Sequence, residues 1–290
     1  MIVMRLKGGL GNQIFQYALG RRLSLDHNTD LALETSSFKT DHLREYRLNT
    51  FQIQAAIASD ALPFFPTTGP KRRINSVLQF FRKLIGKPFD IYKEKSFNFD
   101  PQVLQCSSNA FFDGFWQSEQ YFLPIRSTLL TDLVPVKPLE GNLAHIANEI
   151  KQCNAVSIHV RRGDYVSDPT TTAYHGVCSK EWYEQAAQHM KQHVPDLQFF
   201  VFSDDYEWAK SNLDFQAPTR FIEPSPDGQE CNDLYTMSLC KHNVIANSSF
   251  SWWGAWLNQN PNKIVIAPKQ WFVAGPQKTD DLIPKNWIRM

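Results

Sequence analysis

The 290-residue chain predicts an α/β protein of two Rossmann-like domains, each on a parallel sheet, with a cleft between them. Three observations predict this class. The chain opens with a strand, a glycine turn, a helix and a second strand. After Cys153, strands and helices alternate regularly to the C-terminus, which implies a parallel sheet. Between these blocks, Pro135 to Gly141 breaks the pattern. The expected domains are residues 1–150 and 151–290.

The first strand is read at Ile2 to Leu6, an apolar run stopped by Lys7-Gly8-Gly9. A helix follows, with Phe15, Ala18, Leu19 and Leu23 on its apolar face. Thr29 to Leu33 reads as the second strand. From Thr35 to about Pro101 the signal is weak, broken by Pro63, Pro66, Gly69 and Pro70. Ala110 to Trp116 reads as a strand and Leu139 to Ile150 as a helix. The second block reads as strand 155–160, helix 179–193, strand 197–202, helix 205–213 and strand 219–222. Helix 230–240, strand 242–246, helix 250–258 and strand 262–267 complete it.

Composition narrows the function. With 42% hydrophobic and 13% aromatic residues, the chain fills a sizeable core. A net charge of +1 gives no electrostatic case for nucleic acid. Five scattered cysteines without a C-x-x-C pair suit reduced thiols and a cytoplasmic location. No secretory signal peptide is read, and no apolar run approaches the roughly 18 residues of a membrane span.

The most telling segment is Ser157-Ile-His-Val-Arg-Arg-Gly-Asp-Tyr165. It places Arg161 and Arg162 at the carboxyl end of a strand, where ligands of open α/β sheets sit. Guanidinium forks there match phosphate oxygens and point to a diphosphate-bearing substrate. The alternative is a solvated charge pair. His159 lies two residues earlier, on the same strand face as Arg161. Gly8-Gly-Leu-Gly-Asn-Gln13 joins a strand to a helix, where backbone can approach an anion, or simply turn tightly. It is neither a dinucleotide fingerprint nor a P-loop. Ser203-Asp204-Asp205 ends a strand on the same edge as Arg161, to receive base or ribose hydrogen bonds or to cap the next helix. Asn247-Ser-Ser-Phe-Ser-Trp-Trp253 opens a helix whose start is a phosphate seat or a plain serine cap. Trp252, Trp253 and Trp256 read as core. The chain lacks Asp-x-Asp, H-E-x-x-H and G-x-S-x-G. Leaving-group charge would then fall to arginine and helix ends, with no metal cofactor.

Three segments occur in order: Gly8-Gly-Leu-Gly-Asn-Gln-Ile-Phe-Gln-Tyr-Ala18, His159-Val-Arg-Arg-Gly-Asp-Tyr165 and Asn247-Ser-Ser-Phe-Ser-Trp-Trp-Gly-Ala-Trp256. Together they resemble the bacterial α-1,2-fucosyltransferases of glycosyltransferase family eleven. The resemblance runs nearly end to end and is weakest across residues 35–105. It implies a two-domain GT-B fold, with an N-terminal acceptor-side domain and a C-terminal GDP-sugar domain. It implies GDP-fucose as donor, a β-galactoside-terminated glycan as acceptor, inversion at the fucose anomeric carbon, and a place in lipopolysaccharide or O-antigen synthesis. It implies that Arg161 meets the β-phosphate of GDP with Arg162 in support, and that Asn12 lies near donor or acceptor, with Gly9, Gly11 and Gln13 beside it. Ser248, Ser249 and Phe250, after Asn247, match a segment at the phosphates and base. Ser203, Asp204 and Asp205 match an element near the nucleotide. Candidates for a catalytic base are Asp164, Asp168, His159 and His175. Asp164, which shares the arginine turn, is preferred. The alternatives are a fucosyltransferase of another linkage, a transferase of another GDP-sugar, and a non-catalytic nucleotide-sugar binder.

Residues 71–87 carry six basic residues and no acidic one, with Ile74, Val77, Leu78, Phe81, Leu84 and Ile85 at helical spacing. This basic amphipathic helix either packs on the N-terminal domain or lies on an anionic membrane surface at the inner membrane.

Overall fold

The computed structural model describes residues 1–58, 89–167, 169–275 and 278–290. Two compact units form: Met1–Tyr46 with Ile53–Leu129, and Arg47–Gln52 with Leu130–Met290. Each carries one all-parallel sheet, the pair of Rossmann-like units of the GT-B class. The segment 71–87 and its proposed membrane contact lie outside the described residues. No helix among the described residues is long and apolar enough to cross a membrane.

The first unit contains β1 (Ile2–Arg5), α1 (Leu10–Asp26), β2 (Leu31–Glu34), β3 (Ala56–Ile57), β4 (Asp90–Lys93) and β5 (Ala110–Asp113). Its strand order is β3-β2-β1-β5-β4. The central strand β1 is buried along its whole length, as an apolar strand covered on both faces must be. Helix α1 lies close on it. A Cβ on Gly20 would sit 2.5 Å from Met4 Cγ and 2.7 Å from Leu31 Cδ1, so only glycine permits this approach.

The second unit begins within α2 (Arg126–Asp132) and adds α3 (Gly141–Gln152), β6 (Asn154–Val160), α4 (Gly163–Ser167), α5 (Pro169–His175) and α6 (Lys180–His193). It continues through β7 (Leu197–Ser203), α7 (Tyr206–Asn212), β8 (Thr219–Ile222), α8 (Glu230–Leu239), β9 (His242–Val244), α9 (Ser249–Leu257), β10 (Val265–Ala267) and β11 (Ile288–Arg289). The strand order is β11-β10-β9-β6-β7-β8, so the chain winds outward from β6 in both directions. One face of the sheet packs Val156, Ile158, Val160, Phe199 and Val201 against Tyr183, Ala186 and Met190 of α6.

The expected division at 150/151 is corrected to Leu129/Leu130. The reason is visible on α3, whose Glu149 takes hydrogen bonds from Gln198 at 2.5 Å and from Arg220, both in the second sheet. The second unit also recruits Arg47–Gln52 as a strap. Gln52 N–H donates to Val134 O at 3.1 Å, Val136 N–H donates to Thr50 O at 2.9 Å, and Arg47 Nη2 lies 2.8 Å from Asp227 Oδ1.

Candidate functional site

In the second unit the strand order breaks between β6 and β9. Ligands of open α/β sheets bind beyond the carboxyl ends of the strands at such a break. Arg161 and Arg162 leave the end of β6 there, and Asp204 and Asp205 leave the end of β7. Asp204 holds both arginines: its Oδ2 lies 2.7 Å from Arg161 Nη1, and its Oδ1 accepts from Arg162 N–H at 2.8 Å. Asp205 Oδ2 lies 3.1 Å from Arg162 Nε, while its Oδ1 caps α7 by accepting from Trp208 N–H at 3.4 Å. The Arg162 guanidinium stacks 3.7 Å above the Trp208 ring, and that of Arg161 sits 5.2 Å from the Tyr165 ring. Both forks are therefore fixed before any ligand arrives, which is what bidentate anion recognition requires. Gly163 leaves room for this. A Cβ there would lie 2.5 Å from Asp204 Oδ2.

His159 is buried beneath the turn, its ring 5.5 Å from Phe250, and its Nδ1 has no hydrogen-bond partner. Burial first, and then the charge of Arg161, push its pKa down to about 3. It is a neutral ring at ordinary pH, with a weak hold on any proton. The backbone of Asp164 lies in the first turn of α4. Asp168 lies outside the described residues.

Beyond β9, α9 starts at Ser249 without a side-chain cap, and its first turn has no acidic residue. Its N-terminal N–H groups thus keep their partial positive charge for an external anion. Ser249 and Phe250 are partly exposed there, and Ser248 is buried. Asn247, expected as a donor contact, is instead buried and used internally. Its Nδ2 reaches the carbonyls of His175 at 2.9 Å, Trp271 at 3.2 Å and Gly176 at 3.3 Å. It ties α5 and the 271–275 loop to the start of α9. Ser203 is likewise buried, and its Oγ accepts from Asp205 N–H at 3.0 Å. Trp252, Trp253 and Trp256 are core, as expected.

The first sheet breaks between β1 and β5. Gly8 there has φ +78°, and a Cβ on it would lie 2.6 Å from Asn12 Nδ2. Gly9 caps α1 and is partly exposed, whereas Gly11 is buried. Gln13, expected at the ligand, is fully buried. Its amide donates to Gly8 O at 3.0 Å and Glu45 O at 2.7 Å, so it positions the glycine turn. Asn12 Oδ1 accepts from Gln117 Nε2 at 2.6 Å, from the loop after β5.

The sequence therefore located the arginines, the aspartates and the start of α9 in one unit, and Asn12 in the other. It missed Trp208, Glu94, Asp113 and Gln117. Trp208 had a signal, four residues after Asp204 in a predicted helix. Asp113 ends β5 and Gln117 follows the strand expected at 110–116, while Glu94 follows β4, a short and largely exposed strand.

The comparisons with known proteins agree with this geometry. The family described as Glycosyl transferase family 11 matches residues 1–290. An alpha-1,2-colitosyltransferase of Escherichia coli is 36% identical, with 100% of this chain and 99% of that protein covered. A galactoside 2-alpha-L-fucosyltransferase of Caenorhabditis elegans is 24% identical over 99% of this chain and 76% of its own length. Among solved structures, the E. coli ADP-heptose lps heptosyltransferase II superposes with a TM-score of 0.50, at 12% identity, covering 100% of this chain and 89% of that one.

Proposed function

We propose, from the premise that the chain belongs to glycosyltransferase family 11, that it moves L-fucose from GDP-β-L-fucose to the 2-hydroxyl of a terminal galactose, with inversion. The observation that carries this reading is the Arg161–Asp204–Arg162 constellation at the β6/β9 break, beside the uncapped start of α9. As the fucosyl–oxygen bond breaks, negative charge develops on the leaving GDP. Preorganised guanidinium groups and helix N–H groups stabilise that charge where it forms. In this reading Arg161 meets the β-phosphate and Arg162 supports it. Ser249, Phe250 and the α9 N–H groups complete the phosphate seat. Asp204 and Asp205 set the angles of the arginines, while Ser203, Asn247 and Gln13 position loops. No metal is required, because side chains and a helix end supply the positive charge.

The C. elegans relative supports the fucosyl reading by its name, and the E. coli colitosyltransferase favours a second reading, transfer of the dideoxy sugar colitose in the same α-1,2 linkage. The test is incubation with GDP-fucose and GDP-colitose against a panel of β-galactosides, with linkage analysis of each product. An α-1,2-fucosylated galactoside is expected. Turnover of GDP-colitose alone overturns the fucosyl reading, and binding of either donor without turnover makes the protein a non-catalytic binder.

A further inference from the structure

We propose that Tyr165 is a positioning residue for Arg161. Its ring carries the Arg161 guanidinium, its hydroxyl reaches the chain that opens α9, and His175 is its stacked support rather than a base. The proposal rests on the reading of the β6/β9 edge as the seat of the donor diphosphate.

Asp204 Oδ2 meets Arg161 at Nη1, 2.7 Å away. A contact at one nitrogen does not set the plane of a guanidinium. An aromatic face does, because the flat cation is drawn to the ring and stacks on it. Arg161 Cζ lies 5.2 Å from the centroid of the Tyr165 ring, inside the roughly 6 Å over which this attraction acts. Tyr165 is 9% exposed, so little water competes for its face.

Tyr165 is itself held. Thr172 Oγ1 donates to its carbonyl at 2.5 Å. The His175 ring stacks on its ring with centroids 4.6 Å apart and planes 13° from parallel. His175 in turn meets Tyr174 edge-on at 4.8 Å and Phe272 at 5.4 Å, and its Nδ1 is buried. An imidazole packed against three aromatic rings is placed to stack. Gly176 permits this packing. It has φ +66°, and a Cβ on it would lie 2.5 Å from Val273 Cγ2, in the loop that carries Phe272.

The same group of residues reaches α9. The Tyr165 hydroxyl donates to Asn247 O at 3.4 Å, and the Asn247 amide donates to the carbonyls of His175 and Gly176. Contacts therefore run from Arg161 to the Tyr165 ring, from that ring to His175, from the His175 backbone to Asn247, and from Asn247 back to the Tyr165 hydroxyl. Asn247 stands two residues before Ser249, the first residue of α9. Tyr165 thus registers the arginine fork against the helix start. A diphosphate that uses both needs them in register, since a misplacement of about 1 Å can cost on the order of a hundredfold in rate.

The test uses the full chain with GDP as the probe. Affinity is read by isothermal titration and folding by thermal melting. The wild type is expected to bind GDP, and Tyr165→Leu to bind it about tenfold more weakly, the scale of one partly buried cation–π contact. Tyr165→Phe keeps the ring face and should recover most of that loss. Pentafluorophenylalanine at position 165 keeps the ring's shape and inverts its quadrupole, so it should lose affinity as the leucine variant does, whether or not leucine disturbs the fold. In an Arg161→Gln background, Tyr165→Leu should cost less than twofold, because its partner is gone. His175→Leu should weaken GDP binding, and His175→Phe should restore it by restoring the stack. A fluorinated ring that binds GDP as the wild type does, or an equal loss from Tyr165→Leu with and without Arg161, overturns the positioning role and leaves Tyr165 as core. Full GDP affinity in His175→Phe with transfer from GDP-fucose abolished overturns the support role and makes His175 the base. No GDP binding in the wild type overturns the diphosphate reading of this edge, and the positioning role with it.

Discussion

The two sheets solve the same topological problem with different chemistry. Both break their strand order beside the first strand of the unit, at β1/β5 and at β6/β9. At the second break two guanidinium groups are locked by aspartates next to an uncapped helix start. At the first break the cation Lys7 is likewise paired with a carboxylate, but it is a lysine point charge beside a phenylalanine ring and a pair of amides. One architecture thus carries two different sets of side chains at equivalent edges, because loops beyond the strand ends vary without disturbing the sheet beneath.

The largest effect is expected from Arg161→Ala. Losing one preorganised donor to a developing anion costs about 3–4 kcal/mol, two to three orders of magnitude in turnover. Arg161→Lys should restore little, since a point charge does not replace the fork. A variant that keeps a tenth of wild-type kcat in a steady-state assay refutes the phosphate role.

Asp204→Asn comes next. The amide oxygen still accepts from Arg162 N–H, but the charge that orients Arg161 is gone. A charge-assisted hydrogen bond is worth about 1.5–3 kcal/mol, so the KM for GDP-fucose should rise ten- to a hundredfold. The acceptor KM should not move. If it moves as much as the donor KM, Asp204 serves more than the donor phosphate. Gly163→Ala acts on the same carboxylate through the 2.5 Å approach and should reproduce part of the effect.

A third effect is on stability and belongs to the second unit alone. His159 is neutral in the fold down to about pH 3, whereas the unfolded chain protonates it near its ordinary 6.5. Between those values the unfolded state binds more protons. Stability is therefore full above about pH 6.5 and falls as pH drops toward 3, by at most about 1.4 kcal/mol per pH unit from this group. Thermal melts of His159→Gln should fall less steeply than the wild type between pH 6.5 and 5. Parallel slopes would show that other groups dominate acid unfolding.

The smallest effect is expected from chelation. Transfer should survive excess EDTA, since the β6/β9 edge supplies its own positive charge. Loss of activity restored by Mg²⁺ or Mn²⁺ removes that account.

Much of the second unit was legible before the structure. Strands 155–160, 197–202 and 219–222 agree with the observed bounds to within a residue, and the first two are largely apolar runs closed by turn residues. Strand 262–267 begins only at Val265, because Lys263 turns its ammonium onto Ala255 O and Asn258 O to close α9. β3, β4 and β11 escaped notice. They are short or largely exposed edge strands, and their residues carry no alternation to read. The site divided in the same way. Arginines at a strand end announce themselves by charge and position. Gln13 and Asn247 were singled out because the motifs contain them; both are buried, and their amides donate to backbone carbonyls. The Glu94 carboxylate gave no signal, since the N–H groups that it holds, of Phe115 and Trp116, lie more than twenty residues later in the chain.

The strap Arg47–Gln52 has a consequence for how the molecule is made. Chain emerges from the ribosome N-terminus first, and domains fold as their sequence becomes available. Here six residues between β2 and β3 belong to the unit translated later. Their partners Val134, Val136 and Asp227 do not yet exist when the strap leaves the exit tunnel. Vectorial synthesis therefore delivers the first sheet with a length of chain still waiting for its partners. Cutting the gene at the sequence midpoint would separate the strap from the unit that it completes.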